Sequence, residues 1–267
     1  MNGVRTRVCS GFTLVETLAV LASISVLLAI TVPAVSSVRA SSRAAQCQSN
    51  LRQLGVAATC YALQNRDRFP AAILFEVSTA GLVTKAWDFE QHPDGSVRAG
   101  ALWAFVSGTN PVQQCPEFVG ASTFGNDPST GYNYNTSFIG AEGRFPELDQ
   151  NGAWQDGWKV VRHGVASGQH RRTTTTALFG DGGWRGGANK FMRAPSNTIE
   201  HDLQTVYAGT QAFRHRGCSH ACFLDGHVGA FSDCCEGPHA SSSLLDGVTD
   251  FPRNGFLADG DSPYDPR

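Results

Sequence analysis

The stretch SGFTLVETLAVLASISVLLAITVP, residues 10–33, decides how the rest of the chain is read. From Phe12 to Val32 it runs for 21 residues with Glu16 as its single charge. At about 1.5 Å of helical rise per residue that is roughly 32 Å, enough to cross a hydrocarbon core. Arg5 and Arg7 precede it and no acidic residue comes before Glu16, so the positive-inside bias keeps the short N-terminus cytoplasmic and exports the chain beyond Pro33. Glu16 is out of place in that setting, because a carboxylate in lipid costs about 3 kcal/mol and asks for a partner. A cut after Gly11 would supply one, the new α-amino group of Phe12, in the same or a neighbouring subunit. Pro33 predicts a kink, since it removes a ladder hydrogen bond. An ordinary signal peptide with Val38 to Ala40 as its small-residue cleavage site, or a plain uncleaved anchor, gives Glu16 no task.

With its short basic leader, Gly11 before the cut, Phe12 after it and Glu16 fifth in the processed chain, GFTLVE resembles the processing motif of type IV prepilins and type II secretion pseudopilins. Pro33 looks like the proline that interrupts the first helix of such subunits. A second match lies in CQSNLRQLGVAATCYALQNRDRFP, residues 47–70. There Cys47, Asn50, Leu51, Arg52, Gln53, Tyr61, Phe69 and Pro70 are similar to the pattern of pilin-like proteins that carry a C-terminal signature of His, nine residues, Asp-Gly. His215, Asp225 and Gly226 supply that signature, with the link after the histidine shortened to Arg216-Gly217. The middle third of the domain is unmatched.

The resemblance implies an α+β fold: a long N-terminal α-helix packed on a small antiparallel β-sheet, with a loop-rich middle. The parts would be a leader (1–11), a transmembrane and assembly helix (12–33), the periplasmic half of the same helix (34–65) and a β-rich extracytoplasmic domain (66–267) with a hairpin at 218–231. It also implies cleavage between Gly11 and Phe12 and N-methylation of Phe12 by a prepilin peptidase. The subunit would stand as a single-pass protein of the bacterial inner membrane, then join other pilin-like subunits in a filament.

Composition narrows the alternatives. The formal net charge of −2, a pI near 6.4 and 16% charged residues leave no basic footprint for nucleic acid. Eight cysteines include Cys9, which would depart with the leader, leaving an odd seven in an oxidising compartment. The 29 glycines lie mostly after residue 80 and predict short strands and many turns.

Leu51, Leu54, Ala58 and Tyr61 recur at helical spacing while Arg52, Gln53 and Gln64 fall elsewhere, so one stripe should be buried and the helix should run to about Gln64. Cys60, extra to the family pattern, would sit about 19 Å from Cys47 on that helix and cannot bridge to it. GALWAFV (100–106) reads as helix or strand, GYNYNTSFIG (131–140) as strand-like, and residues 162–172 as a solvated loop. TTTTALFGDGG (173–183) predicts a strand through Phe179 and then a turn at Gly180, Asp181 and Gly182.

In FRHRGCSHACFLDGHVGAFSD (213–233), Asp225-Gly226 is the preferred pair for a two-residue hairpin turn. That turn sets Phe223 opposite Val228, Cys222 opposite Gly229, Ala221 opposite Ala230 and His220 opposite Phe231. Ala221, Phe223, Val228 and Ala230 would then face the long helix, and Cys218, His220, Cys222, His227 and Phe231 the other side. His215, Cys218, His220, Cys222 and His227 form an N/S ligand set of the kind Zn²⁺ takes, at a spacing that fits no standard module. Disulfides compete, with Cys218 opposite Cys234 and Cys235, and both readings stay open. His215 is otherwise a structural hydrogen-bonding residue, with Asp225 as a partner. Asp259, Asp261 and Asp265 offer oxygen ligands for Ca²⁺, which some major pseudopilins hold in a C-terminal loop, although no glutamate closes this one.

No Gly-x-Ser-x-Gly elbow, phosphate loop or His-Glu-x-x-His is present, and Asp181 and Asp225 each adjoin a glycine, so no enzyme is expected. The rival to an assembly subunit is a membrane-anchored extracytoplasmic domain that binds a metal or another ligand.

Overall fold

The computed structural model describes residues 12–106, 112, 114–122, 131–143, 161–162, 166–184, 187–195, 209–232 and 254–267. Gly11, Cys234 and Cys235 lie outside them. The chain divides into two compact units, residues 1–42 and 43–267.

One helix, α1 (Leu14–Gln64), contributes to both units. It is helical through Pro33. In the first unit every residue from Phe12 to Arg39 is exposed, and this part is long and apolar enough to cross a membrane. In the second unit α1 buries Cys47, Asn50, Leu51, Leu54, Gly55, Ala57, Ala58 and Ala62. Tyr61 is only half-buried and meets Phe105 edge to face at 5.7 Å. The helix ends at Gln64, as its periodicity predicts, because Arg66 and Asp67 turn to φ 56° and 57° and the Asn65 side-chain amide donates to the Tyr61 carbonyl at 2.8 Å.

The fold is α+β, and the single small sheet expected is two larger ones. The first contains β1 (Ile73–Ser78), β2 (Gly81–Ala86), β3 (Phe89–Gln91), β4 (Val97–Ala99), β6 (Glu142–Gly143) and β7 (Val161–Arg162) in the order β4-β3-β2-β1-β6-β7. All its pairs are antiparallel except β1 with β6. The second is built around β8 (Ala177–Gly183), in the order β12 (Val228–Phe231), β11 (Ser219–Phe223), β8, β10 (Thr210–Ala212), β13 (Asn254–Gly255). Strand β5 (Tyr132–Asn135) pairs with β8 and runs parallel to β9 (Phe191–Met192). Residues 101–105 form a short 3₁₀ turn.

Side chains of β5, β8 and β11 meet the buried face of α1. Tyr134 stacks on Phe179 at 4.9 Å, Trp87 lies 5.3 Å from Phe179, and Leu51, Leu54 and Cys222 complete that core. The opposite face carries Ala177, Met192, Ala221 and Phe223 under Leu257 and Tyr264 of the C-terminal segment. A buried ion pair joins Lys190 Nζ to both oxygens of Asp88 at 2.5 and 2.6 Å.

Two local predictions need correction. The hairpin exists, but its register is Ser219 opposite Phe231, His220 opposite Ala230, Ala221 opposite Gly229 and Cys222 opposite Val228. Phe223 N–H donates to the His227 carbonyl and Gly226 N–H to the Phe223 carbonyl, both at 2.9 Å, and Gly226 has φ 88°. The loop is therefore three residues, Leu224 to Gly226, ending in a left-handed glycine, instead of two. One step of register moves the partner strand to the other face. Cys222 accordingly points at α1, where a Cβ on Gly55 would lie 2.5 Å from its Sγ, and Ala221 and Phe223 point away. The paired positive φ values of a two-residue turn occur instead at Arg216 (55°) and Gly217 (83°), between the mutually bonded His215 and Cys218.

The second correction concerns Asp181. No turn comes after Phe179: β8 continues through Gly183, and all seven of its residues are buried. A Cβ at Gly182 would stand 2.6 Å from the Asn189 carbonyl, so this glycine permits close strand approach instead of reversing the chain.

Candidate functional site

The N-terminal end of α1 holds the first candidate site. Thr13 caps the helix: its hydroxyl accepts the Glu16 N–H at 3.3 Å, while Glu16 Oε2 accepts the Thr13 N–H and hydroxyl, both at 2.8 Å. This is a capping box, and Thr-x-x-Glu is its sequence form, a signal present in residues 13–16 that the reading of Glu16 as an assembly charge passed over. Phe12 is 82% exposed.

The second candidate site is buried in the 43–267 unit. Strand β8 presents Asp181 toward α1, and Cys47 of α1 places its thiol 3.1 Å from Asp181 Oδ1. Between β10 and β11 the chain leaves the ladder at 213–218 and turns at Arg216-Gly217, which lays Arg214 and His215 over the same carboxylate. His215 Nε2 lies 3.4 Å from Asp181 Oδ2 and 3.4 Å from Cys115 Sγ. Its Nδ1 faces Glu117 Oε2 at 3.2 Å. Ligand atoms of Cys47, Cys115, Asp181 and His215 all fall within 4.8 Å of one another, and all four residues are buried.

Around them stand groups that hold Asp181 ionised. His220 donates its backbone N–H to Oδ2 at 2.8 Å, its Nδ1 lies 3.4 Å away, and its ring sits 4.6 Å from that of His215. Arg214 Nη1 stands 3.8 Å from Oδ1 and donates to the Gly131 carbonyl at 2.8 Å, while Nη2 donates to the Gly182 carbonyl. Burial opposes ionisation of Asp181, yet hydrogen bonds from His215 and His220 and the Arg214 charge hold it well below the usual carboxylate range. Burial likewise works against a charged His215, and Asp181 and Cys115 outweigh it, raising the imidazole to about 10. The thiols diverge. A hydrogen bond from Cys47, then His215, lowers Cys115 to about 5 against burial, while burial, Cys115 and Asp181 push Cys47 up.

The metal set read from the hairpin is not brought together. His215 belongs to the buried group, but its partners are Asp181, Cys115 and Glu117, not Asp225. His220 adjoins that group through Asp181. Cys222 packs on Gly55, and burial raises its thiol to about 12. His227 lies on the other face, stacked on Phe223 at 4.3 Å and paired through Nδ1 with Asp225 Oδ1 at 2.5 Å. Cys218 is half-buried and bonds His215 only through the backbone. Among the described residues the five cysteines after the leader, Cys47, Cys60, Cys115, Cys218 and Cys222, are all free thiols. Asp265 pairs with Arg267 at 2.9 Å, and the Asp261 carbonyl accepts the N–H groups of Tyr264 and Asp265, so the 258–265 stretch forms a turn.

Compared with known proteins, the chain matches no family model, no curated protein and no solved structure.

Proposed function

We propose that the chain is a pilin-like (pseudopilin) subunit, processed by a prepilin peptidase and built through its N-terminal helix into a type II secretion or type IV pilus-like filament. One observation carries this reading: α1 is uncovered on every side from Phe12 to Arg39, apolar to Val32, and bears one carboxylate four residues after Phe12. Such a surface needs lipid or other helices around it. In the inner membrane, lipid covers it and the domain stands outside. On extraction, the helices of neighbouring subunits replace lipid, and Glu16 meets the amino terminus of an adjacent Phe12, so that neither charge is stranded. The role is assembly, and no residue is assigned to catalysis.

The capping box sharpens the test. Gln at position 16 keeps the reciprocal hydrogen bond to Thr13 but carries no charge, whereas Val loses both. Both variants should insert in the membrane as the native chain does, and both should drop out of filaments in pull-down or shear fractions. Normal assembly of Glu16→Gln beside a failing Glu16→Val would reduce Glu16 to a helix cap. Mass spectrometry of the membrane-fraction protein should find N-methyl-Phe12 as the first residue; an intact leader or a start at Ser41 overturns the reading.

A further inference from the structure

The geometry points to a structural zinc site formed by Cys47, Cys115, Asp181 and His215, independent of how the subunit is used. A zinc ion takes sulfur at about 2.3 Å and nitrogen or oxygen at about 2.0–2.2 Å in a tetrahedron, so its ligand atoms stand about 3.3–3.8 Å from one another. The contacts already present are 3.1 Å from Cys47 Sγ to Asp181 Oδ1, 3.4 Å from Cys115 Sγ to His215 Nε2 and 3.4 Å from His215 Nε2 to Asp181 Oδ2, and one ligand atom from each residue lies within 4.8 Å of the others. Adjustments of no more than about 1 Å close the tetrahedron.

The surroundings fit an ion as well as the ligands do. Two thiolates, one carboxylate and Zn²⁺ sum to one negative charge, and the Arg214 guanidinium beside Asp181, 4% exposed, balances it. With Nε2 on the metal, the remaining ring nitrogen of His215 is the one 3.2 Å from Glu117, the carboxylate–histidine–metal relay that orients a ligand imidazole. His220 fixes the second oxygen of Asp181 through its backbone N–H. The rival chemistry, a Cys47–Cys115 disulfide, gives no reason for a carboxylate at one sulfur and an imidazole at the other. Binding would displace two protons from the ligand set to solvent, without redox change.

The ligands come from α1, the 114–118 turn, β8 and the 213–218 excursion, so the ion would tie the helix to the sheet at a point where, among the described residues, no backbone pairing does so. Because every ligand is buried and no position is left open, the site is closed and non-catalytic.

The full chain, purified in detergent, reduced and stripped of metal, is titrated with Zn²⁺ and separately with Co²⁺. One Zn²⁺ per chain should bind and raise the melting temperature, and Co²⁺ should show intense thiolate-to-metal charge transfer. Glu117→Gln should weaken Zn²⁺ binding by about 10–100-fold without loss of folding. Cys115→Ser should remove about half or more of the charge-transfer intensity, since it takes away one of two thiolates, whereas Cys60→Ser should change nothing. If Cys115→Ser does not fold, the Glu117→Gln affinity and the native Co²⁺ spectrum decide. A Cys47–Cys115 disulfide in metal-free protein isolated from its host's envelope, Co²⁺ bound without thiolate bands, or no thermal shift with Zn²⁺ would overturn the proposal.

Discussion

Residues 14–42 and 43–64 of α1 share one hydrogen-bonding pattern and have opposite surroundings. In the first stretch Leu21, Ile24, Leu27 and Ile30 are 61%, 47%, 62% and 65% exposed; in the second Leu51 and Leu54 are 0% exposed. The second is less apolar, interrupted by Arg52, Gln53 and three small residues, Gly55, Ala57 and Ala58, that let β-strands come close. Hydrophobicity states what a helix needs, while the mixture of large, small and charged positions states whether its own chain meets that need. As far as Val32 the first stretch has no continuous polar face and so no preferred side on which to dock.

That contrast can be broken most directly from the apolar side. Leu21→Arg should cost about 3–4 kcal/mol of membrane insertion, read as protein released by alkaline extraction, while the unfolding midpoint of the 43–267 unit stays where it was. Leu54→Ala should do the reverse, lowering the stability of that unit by about 3 kcal/mol in denaturant titration with extraction behaviour unchanged. If either substitution moved both readouts, the two stretches would not be independent. A smaller effect tests close approach. Gly55→Ala should destabilise by about 1 kcal/mol despite alanine's better helix propensity, because its methyl group would meet Cys222 Sγ. Cys222→Ala in the same chain should recover that loss, and a double mutant no better than the single would refute the contact.

The smallest effect expected is at the hairpin loop. Burial raises and the His227 ring and N–H lower the Asp225 carboxyl, with a net shift below the usual value of 3.8. A depressed folded-state pKa means that the stabilisation is present above about pH 4 and is lost as pH falls through the lowered value. Asp225→Asn should therefore cost about 0.5 kcal/mol or less at neutral pH and flatten this acid-side dependence, while leaving the hairpin register intact by amide exchange.

Much of this was legible in the sequence because it is local. The end of α1 at Gln64, a strand through Phe179 (though Thr173 to Thr175 form a turn and the strand begins only at Ala177), a strand within 131–140 and a hairpin about Asp225-Gly226 all arise from periodicity and turn chemistry acting over a few residues. The hairpin register was not, because Asp-Gly, though preferred in two-residue turns, also fits a three-residue loop that ends in a left-handed glycine, and packing such as that of Cys222 against Gly55 lies outside the local sequence. Asp181 was misread because glycines on both sides mimic a turn when they in fact admit neighbouring strands. The buried cluster was illegible for a further reason. Cys47 and Asp181 are 134 residues apart and Cys115 and His215 are 100 apart, so no spacing rule could join them. The histidine, two cysteines and aspartate were all visible as residues, and it is the packing of α1 on β8, together with the 114–118 turn and the excursion at 213–218, that brings them together.

The position of residues 254–267 bears on the order of events during synthesis. Tyr264 is fully buried beneath the second sheet, its carbonyl accepts from the Asn135 side chain at 2.8 Å, and the Pro263 and Pro266 carbonyls accept the N–H groups of Ala177 and Arg171, both at 2.7 Å. Of the residues described, these leave the ribosome last. The second sheet is therefore left with one face open until they arrive, long after α1 has been made. A truncation within 254–267 would leave that face open indefinitely, and should show itself first as proteolysis of the 43–267 unit.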